Sequence, residues 1–532
     1  MNTILGKPKH ILSSSILTVL FSTIHYLYSV KILGEKDCIL HTLITPSLFF
    51  LSLILLFIWA DKQSKKNRID TSYSASKSFL LWKQYFVIII ICWTPYYIMC
   101  FPGNMFYDTG TSILYNLGVD KSNHNNPFLQ NVIAGIAYRF GAIFGKPIIG
   151  ITIYIFLQFL SQIALLSYSL TLLQKNQLLR LMLLFLYICI PVFPIYTLTM
   201  GKDSNFALAV MLYVCMTLRL VKNPNRFFES RFMPLLLASS LILMGLFRNH
   251  AIYIPSFSLI LYSLLVLKKK KQKQCVTLFV SISLFTCLLL PIILGIPNTE
   301  IRESLSIPLQ QTGYYYLNYQ DEIESEEIEK IAEVVSLEAL EQYNPAISDP
   351  IKAQFIPNPS IRQLRDYFSV WAHQFLRHPV AYLKSFYLHT YAYYTPSAIR
   401  NDIKPHVFLG FATRSDLFTE TALTPNSNEY LKWVSKIDAL SISMPIVSYF
   451  SKIGIYSWLL LIAVVRLIQT KQTRYMLCLA PIIMIFLGCL FSPVNGYFRY
   501  AYSMIVNIPI LFSYVMQLET REIDIPKRRE LQ

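Results

Sequence analysis

About twelve long apolar runs, each nearly free of ionisable residues in its middle, alternate with short polar stretches. They cover 11–30, 40–60, 84–101, 149–172, 180–200, 205–221, 232–247, 251–267, 275–296, 447–467, 476–492 and 498–517. A helix needs about 20 apolar residues to cross a hydrocarbon core, with roughly 17 tolerated, so each run reads as a transmembrane helix. The stretch 127–146 (PFLQNVIAGIAYRFGAIFGK) differs. Gln130, Asn131, Arg139 and three glycines interrupt it, and it reads as an interfacial helix on the outer face.

The polar stretches are of two kinds. One kind is basic: Asp61 to Arg68, Lys175 to Arg180, Lys222 to Arg231, Lys268 to Lys273, Arg466 to Arg474, and both termini. Basic loops mark the cytoplasmic face. All of them fall on that face together if 127–146 does not cross, which places both termini in the cytoplasm. The other kind is a set of isolated polar clusters, at Asp108, at Lys202-Asp203, at Arg248-Asn249-His250 and from Asn495 to Arg499, and the alternation puts every one of them outside.

Composition agrees with a polytopic protein of the cell membrane. Only 14% of residues are charged and 54% are hydrophobic, against about 25% charged in soluble domains. The net charge of +17 is explained by cytoplasmic loops among membrane lipids, with no need for a nucleic-acid partner. Eight of the nine cysteines fall in or beside apolar runs and none forms a CxxC pair, so neither a zinc site nor a disulfide framework is indicated. The N-terminal run lacks a small-residue cleavage site and reads as a retained span.

One loop is far longer than the rest. Residues 297–445 carry 18 acidic against 12 basic residues, a net of −6, while the remainder nets +23. This is the asymmetry expected of an outer domain beside basic cytoplasmic loops. Asp321 to Leu340 reads as an acidic amphipathic helix and Ile361 to Phe386 as an aromatic-rich helical region, with turns at Asn344-Pro345, Asp349-Pro350 and Thr424 to Asn428. The chain thus divides into a bundle, 1–296, with an outer loop at 101–148; a mainly helical outer domain, 297–445; and C-terminal spans with a cytoplasmic tail, 446–532.

The outer clusters hold the candidate chemistry. Asp108 follows Pro102-Gly103 and precedes Ser112 to Leu117, so it is either a helix N-cap or a general base whose basicity desolvation raises. Lys202 and Asp203 lie in a loop of a few residues between two runs. They are either a snorkelling lysine with a capping carboxylate, or a substrate-binding pair in which Asp203 joins Asp108 and the two share a divalent cation. Arg248 and His250 occupy a tight hairpin, either at lipid headgroups or aimed at a phosphate, which a planar guanidinium suits. Arg499 opens the last span, where a buried arginine needs a partner; the alternative is interfacial anchoring among Tyr497, Phe498, Tyr500 and Tyr502. His124, Gln310 and Asn495 complete the polar set on this face.

These segments resemble the GT-C superfamily of membrane glycosyltransferases, in particular a poorly characterised branch from Gram-positive bacteria. The matching stretches are PGNMFYDT (102–109), NHNNPFLQN (123–131), GKDSNFAL (201–208), FRNHAIYI (247–254), ESLSIPLQQ (303–311) and SPVNGYFRYAY (492–502). They run through most of the chain, though each is short. Two spans before the first large outer loop are extra relative to the simplest members. Paired histidines before the proline are reduced here to His124. The resemblance implies an all-α, GT-C-like bundle and an acidic catalytic residue in the first outer loop, which Asp108 matches. It further implies a polyprenyl-phosphate sugar donor and transfer outside the membrane, to a cell-envelope glycan or lipid-linked acceptor. The chain lacks a Gly-rich nucleotide loop in a strand–helix context, which a lipid-phosphate donor would not need. The competing expectations are a lipid-linked sugar flippase or transporter, which would place ionisable groups along a path within the spans, and a non-catalytic envelope-assembly protein.

Overall fold

The computed structural model describes residues 8–34, 40–66, 75–118, 127–173, 176–295, 300–398, 436 and 443–520. It is an all-α membrane protein. Among the described residues, seven helices are long and apolar enough to cross a membrane: Pro8–Val30, Thr42–Lys65, Ser76–Cys100, Pro147–Thr171, Lys202–Lys222, Lys270–Ile293 and Thr473–Leu490. Four shorter apolar helices accompany them. The basic tails at both ends, the Thr424 to Asn428 turn and His124 lie outside the described residues.

The chain opens with α1 (Pro8–Tyr26), α2 (Thr45–Lys66) and α3 (Ala75–Cys100). A short helix, α4 (Tyr107–Leu117), then leads to α5 (Phe128–Ile143), which lies against α4 and against α6 (Pro147–Thr171). α5 is not among the apolar spans.

The run expected to cross at 180–200 is broken. Helix α7 (Gln177–Cys189) stops because Ile190, which precedes Pro191, takes an extended backbone (φ −89°, ψ 113°), the conformation a following proline favours. A short α8 (Val192–Thr197) follows, then a two-residue strand, before α9 (Lys202–Lys222). Helix α9 is the axis of the bundle, buried along most of its length. Helices α10 (Pro224–Glu229), α11 (Phe232–Phe247), α12 (Tyr253–Leu265) and α13 (Lys270–Ile293) complete the first half.

The segment expected to lie outside, the outer unit, has its own core. Helix α14 (Ser306–Asn318) runs through its centre, and Leu309, Tyr315, Val334, Leu340, Tyr367 and Tyr382 bury around it. Thr312 pairs with the Tyr367 hydroxyl at 2.9 Å, and Trp371 donates to the Gln311 amide oxygen at 3.2 Å. The acidic helix expected over 321–340 is interrupted. Helix α15 (Ser325–Ala332) ends so that the Val334 carbonyl can accept from the Ile356 amide at 2.9 Å, and Ser336 then caps α16 (Leu337–Glu341). Helix α17 (Asp349–Ala353) carries Pro350 in its first turn. Helix α18 (Ile361–Arg377) carries a capping box from Ser360 and Gln363. Pro379 separates it from α19 (Pro379–Thr390).

The chain returns through α20 (Pro445–Phe450), α21 (Ile453–Gln469), α22 (Met476–Leu490) and α23 (Phe498–Met516), the last buried along nearly every face. The α1–α2 hairpin docks on α21. Phe21 stacks on Phe49 at 4.1 Å and both meet Trp458 edge-on. In the same joint Arg466 donates to Asp61 at 2.6 Å, with His10 at 3.1 Å from the other carboxylate oxygen. These three lie inside helices, toward their ends, with Arg466 and His10 buried. Helix α2 continues to Lys66, and Asp61 therefore sits within it rather than in the loop beyond.

Candidate functional site

A two-residue parallel bridge assembles the site. β1 (Asn104–Met105) pairs with β2 (Thr199–Met200), Asn104 beside Thr199 and Met105 beside Met200. Its reach is extended by the Phe106 amide and the Thr109 hydroxyl, which both donate to the Met200 carbonyl, at 3.2 and 2.7 Å. The bridge sets the first turns of α4 and α9 side by side. Phe106 and Gly201 are the N-caps, so Asp108 and Asp203 both fall inside their helices' first turns rather than at the capping positions. Carboxylates there are favoured by the helix dipole.

Two further helix ends close on this pair. Arg499 stands in the first turn of α23 and Arg248 just past the end of α11. The Arg499 guanidinium spans both carboxylates, Nε donating to Asp203 Oδ2 and Nη2 to Asp108 Oδ2. Arg248 Nη2 donates to Asp203 Oδ1 at 2.5 Å, and Lys202 Nζ lies 3.1 Å from Asp108 Oδ2. Each guanidinium also lies on a phenylalanine ring, Arg499 on Phe106 at 4.7 Å and Arg248 on Phe206 at 5.0 Å.

Burial is graded across the five. The Asp203 side chain is 0% exposed and Arg499 8%, against 27% for Arg248 and 31% for Asp108. The cluster therefore has a closed base and an open rim. Among the described residues, three cations and two carboxylates make up this group, which is partly desolvated at its rim. Forked guanidiniums and an ammonium are the side chains suited to phosphate oxygens.

The electrostatics correct one expectation. Burial by itself raises the Asp108 carboxyl, as anticipated. The charges of Lys202 and Arg499, and their hydrogen bonds, outweigh it and hold the group well below the usual carboxylate range. Asp108 is thus ionised at every physiological pH, and less basic than an isolated buried carboxylate. The shared-cation alternative meets Arg499, whose guanidinium bonds both carboxylates. Among the described residues no group of three or more His, Cys, Asp and Glu is placed to hold a metal ion.

The other sequence candidates are engaged elsewhere. His250 is exposed on the turn Asn249–Ile252, stacked on Tyr253 at 6.4 Å. Gln310 is buried in the outer unit and donates to the Asn344 carbonyl at 3.0 Å. The Asn495 side chain accepts from the Ala392 amide and donates to the Leu388 carbonyl, both at 3.1 Å. Sequence reasoning missed Phe106 and Phe206, because an aromatic beside an apolar run carries no distinct signal. It also missed a buried polar chain next to the cluster. Tyr154 donates to the Asn205 side-chain oxygen at 2.6 Å, and Asn205 donates to Gln130 at 3.0 Å, which ties α6, α9 and α5 together.

No curated protein and no solved structure matches this chain. One family model matches, over residues 121–529, a span that holds Lys202, Asp203, Arg248 and Arg499 but begins after Asp108. That match covers more than half of the chain, which therefore belongs to the family of unknown function DUF6020.

Proposed function

We propose that this protein is a membrane glycosyltransferase that moves a sugar from a polyprenyl-phosphate donor to a cell-envelope glycan or lipid-linked acceptor at the outer face of the membrane. The single observation that carries the reading is the five-membered charge cluster, two arginines and a lysine on two carboxylates with an open rim, at the junction of four helix ends. The fuller topology belongs to the same proposal: about twelve spans in a GT-C-like bundle, both termini in the cytoplasm, and the acidic 297–445 segment outside.

In this reading Arg499, Arg248 and Lys202 turn toward the donor phosphate when it enters. The acceptor hydroxyl attacks the anomeric carbon from the side opposite the phosphate. A new carbon–oxygen bond forms, the bond from the anomeric carbon to the phosphate oxygen breaks, and the configuration inverts. The hydroxyl proton passes to Asp108, and the leaving polyprenyl phosphate keeps the bonding pair. The cations stabilise the charge gathering on the phosphate. Asp108 suits the base role because it is always ionised, and its basicity rises once Arg499 and Lys202 are drawn away to the phosphate.

The transport reading draws on one specific observation, the group of His10, Asp61 and Arg466 within three helices, with His10 and Arg466 buried. Purified protein in liposomes, given a polyprenyl-phosphate sugar labelled in the sugar, separates the two. Label appearing in the acceptor supports transfer. Label that crosses the bilayer still attached to its lipid supports transport instead.

A further inference from the structure

The loop that delivers Arg499 is held on both sides by the outer unit. Between α22 and α23, residues 492–497 thread between the turn 345–348 and the segment 388–393. On one side the Ser348 amide donates to the Pro493 carbonyl and the Asn495 amide to the Ala346 carbonyl, both at 2.8 Å. On the other, the Tyr393 hydroxyl donates to the Val494 carbonyl at 2.7 Å and accepts from the Tyr497 amide at 3.1 Å. Gly496 turns the loop with φ +63°, and a Cβ there would stand 2.6 Å from that of Ala392. Arg499 follows two residues after Tyr497, in the first turn of α23.

One side chain joins all three segments. His389, on α19, is 1% exposed. Its Nδ1 lies 2.9 Å from the Pro345 carbonyl oxygen and its Nε2 2.9 Å from the Ser492 carbonyl oxygen. The ring thus sits between the outer turn, the outer helix and the first residue of the Arg499 loop, and its neutral form donates to one of the two carbonyls.

We propose that His389 is a positioning residue: through the 492–497 loop, it and the outer unit fix the depth and direction at which Arg499 enters the charge cluster. The loop claim stands without the glycosyltransferase reading. Its consequence for the donor phosphate rests on that reading.

The test compares full-length wild-type protein with His389→Leu, which keeps bulk and loses both ring nitrogens, and His389→Gln, whose amide can still donate to carbonyl oxygens. Amide hydrogen exchange is followed in the 492–497 loop and, as a folding control, in α6. The expected result is loop exchange faster by about tenfold in His389→Leu, the equilibrium equivalent of about one lost hydrogen bond, restored by His389→Gln, with α6 unchanged. Unchanged loop exchange in His389→Leu overturns the inference, as does failure of His389→Gln to restore it. If His389→Leu does not fold, Tyr393→Phe, which removes a single hydroxyl, takes its place: faster exchange at Tyr497 supports the role of the outer unit, and unchanged exchange overturns it. Binding of a polyprenyl monophosphate is measured on the same samples. Loss of affinity in His389→Leu and recovery in His389→Gln extend the role to Arg499. If wild type itself binds no polyprenyl phosphate, the donor reading fails while the loop result still decides the positioning claim.

Discussion

Replacing Arg499 with lysine keeps the charge and removes the bridge. The guanidinium donates through Nε to Asp203 and through Nη2 to Asp108, from a position 8% exposed and stacked on Phe106. A lysine ammonium is a single point that cannot reproduce a planar fork spanning two carboxylates. At least one charge-assisted hydrogen bond is lost, about 1.5–3 kcal/mol, which converts to roughly 10- to 100-fold in an equilibrium or a rate. Where the guanidinium also grips the donor phosphate, the loss appears in donor affinity and in turnover together. The assay is equilibrium binding of a polyprenyl-phosphate sugar to purified Arg499→Lys protein, with turnover measured in membranes at matched abundance. Affinity and turnover both within roughly twofold of wild type, well under the loss of one such bond, would refute the bridging role.

Three further outcomes follow from the geometry. Asp203→Asn leaves two arginines around an uncharged, fully buried group, and loss of one member of a buried ion pair costs about 3–5 kcal/mol; a clear drop in the thermal midpoint in detergent is expected, and an unchanged midpoint counts against the pairing. Gly201→Ala places a Cβ 2.3 Å from the Phe106 ring on which Arg499 rests, so weakened donor binding in protein of normal abundance is expected, and full affinity would show that Phe106 does not orient the guanidinium. Burial pushes the His389 ring below its ordinary pKa, with Lys352 adding to the effect, against the opposing pull of the Ser492 and Pro345 carbonyls and of Asp349. The neutral ring, whose single N–H serves one of the two carbonyls, is therefore the native form, and stability is lost as the pH falls below about 6.5, so loop 492–497 exchange, corrected for the intrinsic rate, rises in acid in wild type and not in His389→Gln.

The helices were legible because apolar runs of the right length leave little choice of conformation in a membrane. The breaks were less so. Pro191 and Pro194 stand in plain view, yet the apolar run continues through them, and only the extended Ile190 shows that the chain turns there. Asp61 and Arg466 were read as loop charges because hydropathy falls before the helix does; α2 and α21 continue to Lys66 and Gln469 and bring the pair inside. Within the site, Asp108, Lys202, Asp203, Arg248 and Arg499 were each visible as a charge at the end of an apolar run. That one guanidinium joins two carboxylates was not, because it depends on the pairing of Asn104-Met105 with Thr199-Met200, and a two-residue strand has no periodicity to read. Asn495 and Gln310 illustrate the converse. Both are polar residues expected on the outer face, but they satisfy backbone groups of the outer unit, and a sequence does not distinguish an amide that bonds the chain from one that awaits a ligand.

The most direct test of the central claim is sugar transfer by purified protein in liposomes, with a polyprenyl-phosphate sugar as donor and isolated cell-envelope glycan or lipid-linked saccharide as acceptor, comparing wild type with Asp108→Asn. Asparagine keeps the shape of the side chain and, since Phe106 holds the capping position, removes no helix cap. The account predicts acceptor labelling and release of polyprenyl phosphate by wild type, and a loss of roughly 10²- to 10⁴-fold in Asp108→Asn, the usual contribution of a general base. No transfer by wild type, or near-normal turnover by Asp108→Asn at equal abundance, would contradict it.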